Sequence, residues 1–257
     1  MFGQQYVIQK GLDKFGDSAK TGAMKELDQL HKRNCFTPIN VKDMSPNEKA
    51  KAQNGIMLVT EKRDKSVKGW LVYDRSKTPD WVSWEEAASP TVSLESLFLT
   101  SVINAKENWD VMTCNIPNAF IQAHMPKTKA GDEQVVMKIT GMMVDLLVQL
   151  SPNTYGQHVV FECRTKVIYL HVLQALYGML VAAILWYQKL QKDLESIGFK
   201  INPYNPCVAN QMVRGRQHTV VFHVDNLKCS HTDKKVNSEF LQWLNKMYGE
   251  YGEVKAT

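Results

Sequence analysis

The feature that most constrains the fold is a pair of strand-like segments near the end of the chain, separated by a short turn. Cys207 to Val213 and Gln217 to Val224 both contain several β-branched residues, and they flank Arg214-Gly215-Arg216. Two such runs joined by three residues that include a glycine predict a β-hairpin. A further strand, Leu227 to Ser230, is predicted after a break at Asp225-Asn226. The chain therefore contains antiparallel sheet.

Helical and strand-like patterns alternate along the rest of the chain. Apolar residues at helical spacing, or helix-capping residues, predict helices at Asp17 to Lys32, from Ser45, at Ser93 to Glu107, from Pro117, at Met142 to Gln149, at Leu173 to Ile197 and at Asp233 to Tyr248. Strands are predicted at Ile56 to Glu61, Val67 to Tyr73, Asp110 to Ile116, Gln134 to Ile139, His158 to Cys163 and Lys166 to His171. In the second half of the chain this order predicts an antiparallel sheet with helices on one face, and so an α+β fold.

Composition excludes several classes of protein. Apolar residues make up 44% and charged residues 22%, which is typical of a globular domain and not of a disordered or fibrous chain. The longest apolar run, Leu176 to Leu185, is interrupted by Gly178 and is too short to span a bilayer, and no secretory signal is visible. Five widely spaced cysteines favour reduced thiols in an intracellular compartment. The net charge of +5 is compatible with a nucleic-acid partner.

Three segments together resemble the reverse transcriptases of copia-type retrotransposons. Asn115-Ile116-Pro117-Asn118-Ala119-Phe120 resembles the first metal-binding motif, in which an Asp begins a D-x-x-x-A-F run. Ala175-Leu176-Tyr177-Gly178, followed by Trp186, is similar to the A-L-Y-G…W signature. Phe222-His223-Val224-Asp225-Asn226-Leu227 resembles the hairpin that usually carries V-D-D. The motifs occur in the family's order, and upstream matches begin near residue 20.

The resemblance implies a right-hand polymerase with a fingers-like region at 1–108 and a ferredoxin-like palm region at 109–257, without a thumb. It implies an RNA or DNA template-primer as partner, and thumb or ribonuclease H segments supplied, if at all, by another chain. It further implies a cytoplasmic location and Mg²⁺ as the cofactor. No membrane partner is expected.

The metal-binding positions depart from the family pattern. Nucleotidyl transfer uses two Mg²⁺ ions, which prefer carboxylate ligands, and the family supplies three such groups. At these positions the chain has Asn115, Asp225 and Asn226, so the formal site charge changes from −3 to −1. A carboxylate attracts a divalent ion at ~4 Å by roughly 8 kcal/mol at an effective dielectric constant near 20, before the cost of dehydration. Asp225 is therefore the one remaining metal ligand of the three, and we expect metal binding to be weak or absent and polymerase activity to be lost.

Asp110 could in principle replace a lost carboxylate. It lies five residues before Asn115 on a predicted strand, and an odd spacing places the two side chains on opposite faces. We therefore expect that Asp110 does not join the site.

The resemblance also implies nucleotide- or template-binding residues, namely Lys62, Lys68, Tyr177 and Gly178. The lysines, with Lys65, either form a solvated turn or face phosphates. Tyr177 either belongs to the core or stacks on a base. Trp70 stands where an Arg is expected to meet the triphosphate, and Val181 stands where a Gln is expected near the template base.

Four functions stay open at this point. The chain is a decayed reverse-transcriptase domain, a nucleic-acid-binding module without chemistry, a polymerase completed by another chain, or a protein-interaction domain on the same fold. A cluster of potential zinc ligands on the hairpin strands, namely His218, His223, Cys229 and His231, matches no common zinc spacing, so packing or surface roles are favoured.

Overall fold

The computed structural model describes residues 4–77, 88–126, 134–250 and 252–256. The protein is a mixed α+β structure with open sheets, as the sequence predicts. The helices described are α1 (Ile8–Phe15), α2 (Asp17–Lys32), α3 (Pro46–Lys51), α4 (Leu94–Lys106), α5 (Met142–Leu150), α6 (Pro152–Tyr155), α7 (Ala182–Ser196) and α8 (Lys234–Tyr248). The strands described are β1 (Gln5–Val7), β2 (Phe36–Pro38), β3 (Gln53–Glu61), β4 (Val67–Tyr73), β5 (Asp110–Asn115), β6 (Val136–Thr140), β7 (Val160–Glu162), β8 (Thr165–Val172), β9 (Lys200–Ile201), β10 (Val208–Val213), β11 (Arg216–His223), β12 (Asn226–His231) and β13 (Lys255–Ala256).

The chain divides into two compact units. The first unit comprises residues 1–86 and 124–182, and the second comprises residues 87–123 and 183–257. The predicted fingers-like (1–108) and palm-like (109–257) regions are separated by a single boundary. The chain, by contrast, passes from one compact unit to the other three times. The assignment of those two regions stays a prediction.

The first unit contains a seven-stranded sheet in the order β1-β3-β6-β8-β2, to which β4 adds on β3 and β7 adds on β8. The pair β3–β6 is parallel, with Gln53 opposite Met137. The prediction that the second-half strands form one antiparallel sheet is wrong for β6, β7 and β8. These strands belong to the sheet that contains β3, and β6 pairs with β3 directly. Strands pair so that they bury a shared apolar face, to which Met57, Ile139 and Leu170 contribute here.

Helix α2 packs against this sheet through its small residues. Its buried face includes Ala23, Leu27 and Leu30, as the spacing predicts. At the closest approach a Cβ on Gly22 would lie 2.7 Å from the carbonyl oxygen of Val67, which no real side chain tolerates. The helix can therefore lie directly on β4 only because glycine occupies this position.

The second unit contains a six-stranded sheet in the order β13-β5-β12-β11-β10-β9, with every pair antiparallel. Helices α7 and α8 cover one face, where Trp186, Leu190 and Leu244 pack on Cys114 and Phe222 in the main core of this unit. This face, with its helical cover, agrees with the predicted antiparallel layer. The opposite face contacts α4 and contains the candidate site.

The helix predicted over Leu173 to Ile197 is too long, since α7 begins at Ala182. Residues before it follow an irregular path, on which the Leu173 amide donates to the Cys35 carbonyl at 2.8 Å. Gly178 has a φ of +90°, which a right-handed helix excludes. The apolar residues between Leu173 and Ala182 are spaced as in a helix for a different reason. Their buried side chains, such as that of Leu176, contribute to the interior of the first unit.

None of the helices in the described ranges has both the length and the apolar character needed to cross a membrane.

Replacing Gly22 by Ala tests the packing of α2 on β4. In an exposed helix the change would stabilise the protein by up to ~1 kcal/mol. Here the new Cβ would collide with backbone, so we expect the free energy of unfolding to fall by about 1–3 kcal/mol in urea denaturation. The matched control is Gly156→Ala, where helical backbone and open space give no clash. Equal effects of the two changes would contradict the packing argument.

Candidate functional site

Three residues predicted from the motifs meet where β5 ends and β12 begins. Asn115 is the last residue of β5 and Asn226 is the first of β12, and the two lie directly opposite each other in the antiparallel register. The Asn115 Nδ2 donates to the Asn226 Oδ1 at 3.2 Å. The Asn226 Nδ2 donates in turn to the Asp225 Oδ1 at 2.9 Å. The structure thus brings all three side chains together as one chain of hydrogen bonds.

The turn between β11 and β12 consists of two residues, Val224 and Asp225. Val224 has a φ of +55°, a left-handed conformation that costs energy in a β-branched residue. Two backbone contacts hold the turn: the Trp186 indole donates to the Val224 carbonyl at 2.7 Å, and the Ile116 amide donates to the Asp225 carbonyl at 2.8 Å. The core helix α7 and the end of β5 therefore set the position of Asp225.

The donor set does not fit a pair of magnesium ions. It offers one carboxylate, that of Asp225, together with two neutral side-chain amides. The two amides are hydrogen-bonded to each other, and the Asn226 amide is also hydrogen-bonded to the carboxylate. Magnesium loses its water ligands reluctantly and binds proteins through carboxylates and substrate phosphates. Across the described part of the chain, no group of three His, Cys, Asp or Glu side chains is arranged to hold a metal ion.

A cleft of about 400 Å³ adjoins these residues on the face of the sheet that α4 contacts. Its apolar wall is formed by Val92, Leu97 and Val221. Its polar wall is formed by Thr113, Asn115, His223, Asn226, Lys228 and Lys255. The cleft therefore combines an apolar surface with a concentration of positive charge.

Lys228 and Lys255 supply that charge from opposite sides. Lys228 lies two residues after Asn226, so both side chains lie on the same face of β12. Its ammonium donates to the Thr100 hydroxyl at 3.1 Å and to the Ser101 hydroxyl at 2.7 Å, and burial lowers its pKa. Lys255 reaches the cleft because β13 pairs with β5 and places it opposite the site's first residue.

Asp110 does not join the site, as predicted. It begins β5 on the core side of the strand, about 17 Å from Asn115 at ~3.4 Å per residue. Its carboxylate accepts a hydrogen bond from the Asn237 side chain at 2.7 Å.

The two lysines predicted to contact nucleotide lie in the first unit. Lys62 is exposed in the turn from β3 to β4, where its amide donates to the Ser66 carbonyl at 2.8 Å. Lys68 lies on β4 with its ammonium 4.9 Å from the centre of the Trp70 ring. Burial lowers the pKa of Lys68, and the nearby Glu26 carboxylate opposes this effect.

Tyr177 and Gly178 lie at the other end of β4. The Tyr73 amide donates to the Tyr177 carbonyl at 2.7 Å, and a Cβ on Gly178 would lie 2.3 Å from the Tyr73 carbonyl oxygen. Five residues of strand, or about 17 Å, separate this contact from Lys68. The structure therefore brings Tyr177 and Gly178 against β4 but does not bring them to Lys68.

The histidines and the cysteine of the hairpin strands do not converge. His218 and His231 are buried with ring centres 5.8 Å apart, and Cys229 is buried in the core. His223 is exposed and lines the cleft on the opposite face. Burial lowers the pKa of His218 to about 4, and the adjacent His231 adds to the effect.

Comparison with known proteins adds no relative: no protein-family model matches the chain, and no curated protein matches it.

Sequence reasoning missed both cleft lysines. The spacing of Lys228 from Asn226 places them on one strand face, so a closer analysis of the strand pattern could have found it. Lys255 carries no such signal, because only the tertiary pairing of β13 with β5 brings it to the site.

The pKa of His218 predicts acid sensitivity. The unfolded chain binds a proton near pH 6.5, whereas the folded protein excludes that proton until about pH 4. The stabilising contribution is therefore complete above pH 6.5 and decreases as the pH falls towards 4, by about 3 kcal/mol. Urea denaturation at pH 7 and pH 4 measures the decrease in the free energy of unfolding between the two pH values. We expect this decrease to be smaller by that amount in the His218→Gln variant. A variant whose pH dependence parallels that of the unmodified protein would contradict the assignment.

Proposed function

We propose that this chain is a copia-type reverse-transcriptase fingers-and-palm domain that has lost polymerase chemistry. The observation that carries the proposal is the pairing of Asn115 with Asn226 beside Asp225. The motifs predict that these three residues occupy the family's carboxylate positions. Asp225 and Asn226 are neighbours in sequence, so the informative observation is that the strand register brings the distant Asn115 opposite Asn226. An antiparallel sheet with two helices on its other face is also what the palm interpretation requires.

The loss of activity follows from the chemistry of the three side chains. A polymerase site of this kind uses metal ions to activate the primer hydroxyl and to hold the triphosphate. With one carboxylate in place of three, a few kcal/mol of metal binding is lost at each changed position, which lowers the rate by orders of magnitude. The asparagine amides cannot supply this attraction, because they are neutral and already hydrogen-bonded to each other.

The partners follow from the same proposal. The domain would interact with RNA or DNA template-primer in the cytoplasm. A domain that still polymerises, by recruiting a carboxylate from a partner chain, is the competing outcome of the test below.

The test is primer extension on an RNA template with Mg²⁺ or Mn²⁺, using the Asn115→Asp/Asn226→Asp double variant. We expect extension by this variant and none by the unmodified protein, because the variant restores all three carboxylates. The variant should also bind Mn²⁺ at least about 100-fold more tightly, in line with a few kcal/mol per carboxylate. The matched control is Asn47→Asp/Asn153→Asp, which adds the same charge at two exposed positions in α3 and α6.

Extension by the unmodified protein would contradict the proposed loss of activity. If the double variant neither extends a primer nor binds Mn²⁺ more tightly, then the three positions are not a former metal site.

A second candidate function is nucleic-acid binding without chemistry, and the turn between β3 and β4 favours it. Lys62, Arg63 and Lys65 are exposed there on a single short turn, and Lys65 lies 3.6 Å from the Glu61 carboxylate. Exposed cations on a protruding turn are suited to contact phosphates.

Salt dependence distinguishes this candidate. If the turn contacts phosphates, Lys62→Gln/Arg63→Gln should weaken binding to single-stranded RNA and reduce the slope of log K against log salt by about 1.4, at ~0.7 per phosphate contact. Lys10→Gln/Lys20→Gln removes the same charge from exposed positions on α1 and α2 and serves as the control. An unchanged slope in the turn variant would exclude the turn as a phosphate contact.

A further inference from the structure

The cleft beside Asn115 has the wrong charge for a cation site and the right charge for an anion site. Among its described lining residues there are two ammonium groups, those of Lys228 and Lys255, and no carboxylate. The acceptors of Lys228 are the neutral hydroxyls of Thr100 and Ser101. In the described part of the chain, no acidic side chain forms a salt bridge with either lysine. No carboxylate among the described lining residues therefore neutralises the two ammonium groups, and the Asp225 carboxylate beside the cleft accepts a hydrogen bond from Asn226.

The position of Lys228 strengthens this argument. Its side chain is half-buried between β12 and α4, and a cation withdrawn from water costs free energy unless an opposite charge compensates it. An anion bound in the cleft would supply that compensation through charge-assisted hydrogen bonds. Lys255 stands on the neighbouring strand pair, next to Asn115, and is exposed, so it could reach the same anion without a change of fold.

The apolar wall indicates that the ligand is more than an inorganic ion. Val92, Leu97 and Val221 offer a hydrophobic surface that a bare phosphate would leave uncovered. A cleft of about 400 Å³ falls within the range of small-molecule sites. A ligand with an anionic end and an apolar body would satisfy both walls.

We propose that this cleft binds a small organic anion, a phosphate or carboxylate attached to an apolar body, without a divalent metal. Lys228 and Lys255 hold the anionic group, and the three apolar side chains contact the body. The inference goes beyond the proposed function, because it requires neither polymerase ancestry nor nucleic acid.

Isothermal titration calorimetry of the full chain in EDTA tests the proposal with three probes: phenyl phosphate, benzoate and inorganic phosphate. We expect at least one of the organic anions to bind, and to bind more tightly than inorganic phosphate. Whichever of phenyl phosphate and benzoate binds more tightly identifies the anionic group, phosphate or carboxylate, that the cleft prefers. Phenol, which has the apolar body alone, should bind more weakly than either.

Two variants locate the binding site. Lys228→Gln and Lys255→Gln should each weaken the preferred probe at least about tenfold, the effect of one lost hydrogen bond to a charged group. Lys200→Gln removes the same charge from β9, at the opposite edge of the same sheet, and should leave binding unchanged. Because Lys255 is exposed, its variant keeps the test decisive even if the Lys228 variant is unstable.

Three results would overturn the proposal: no binding of either organic anion, unchanged affinity in Lys255→Gln, or binding that requires added Mg²⁺. Since the measurement contains neither nucleic acid nor metal, its failure would be separate from failure of the primer-extension experiment.

Discussion

The pairing of β12 with β5 is the interaction on which the second unit depends. It places Asn226 opposite Asn115, and it continues into the turn, where the Ile116 amide donates to the Asp225 carbonyl. A shift of one residue in this register would send the site residues to the core face and the core residues to the solvent. The buried partners on the other face, such as Cys114 and Leu227, therefore fix the geometry of the polar site.

The charge of the side chains where β5 ends and β12 begins decides whether the adjoining cleft favours metal ions or anions. Three carboxylates at the tip of these strands would favour metal ions, whereas one carboxylate with two amides does not compensate the lysines around them. Amides of nearly the same shape keep the backbone arrangement and form a hydrogen bond across the strands at 3.2 Å. If these are the family's carboxylate positions, as proposed, the fold is retained while the electrostatic preference of the cleft changes sign.

Much of the local structure could be predicted from sequence because its causes are local. The capping box at Ser45 and Glu48 forms as expected, with the Ser45 amide donating to the Glu48 carboxylate at 2.7 Å. The hairpin around Gly215 also forms; both of its turn residues, Arg214 and Gly215, have a positive φ, which only the glycine adopts without strain. The start of α7 could not be predicted, because the apolar spacing before Ala182 serves tertiary packing and not a helix. Short strands such as β9 and β13 have too few residues to show a pattern.

By itself the sequence determined the α+β class and most helix and strand positions, which follow from short-range periodicity, capping and turn chemistry. The conjunction of Asn115, Asp225 and Asn226 was predicted from the family resemblance alone. Only the tertiary structure decided which strands share a sheet, that β3 and β6 run parallel, and that Lys228 and Lys255 meet at one cleft. The physical reason is that strand partners and cleft walls are chosen by burial between distant segments, and no local pattern records that choice.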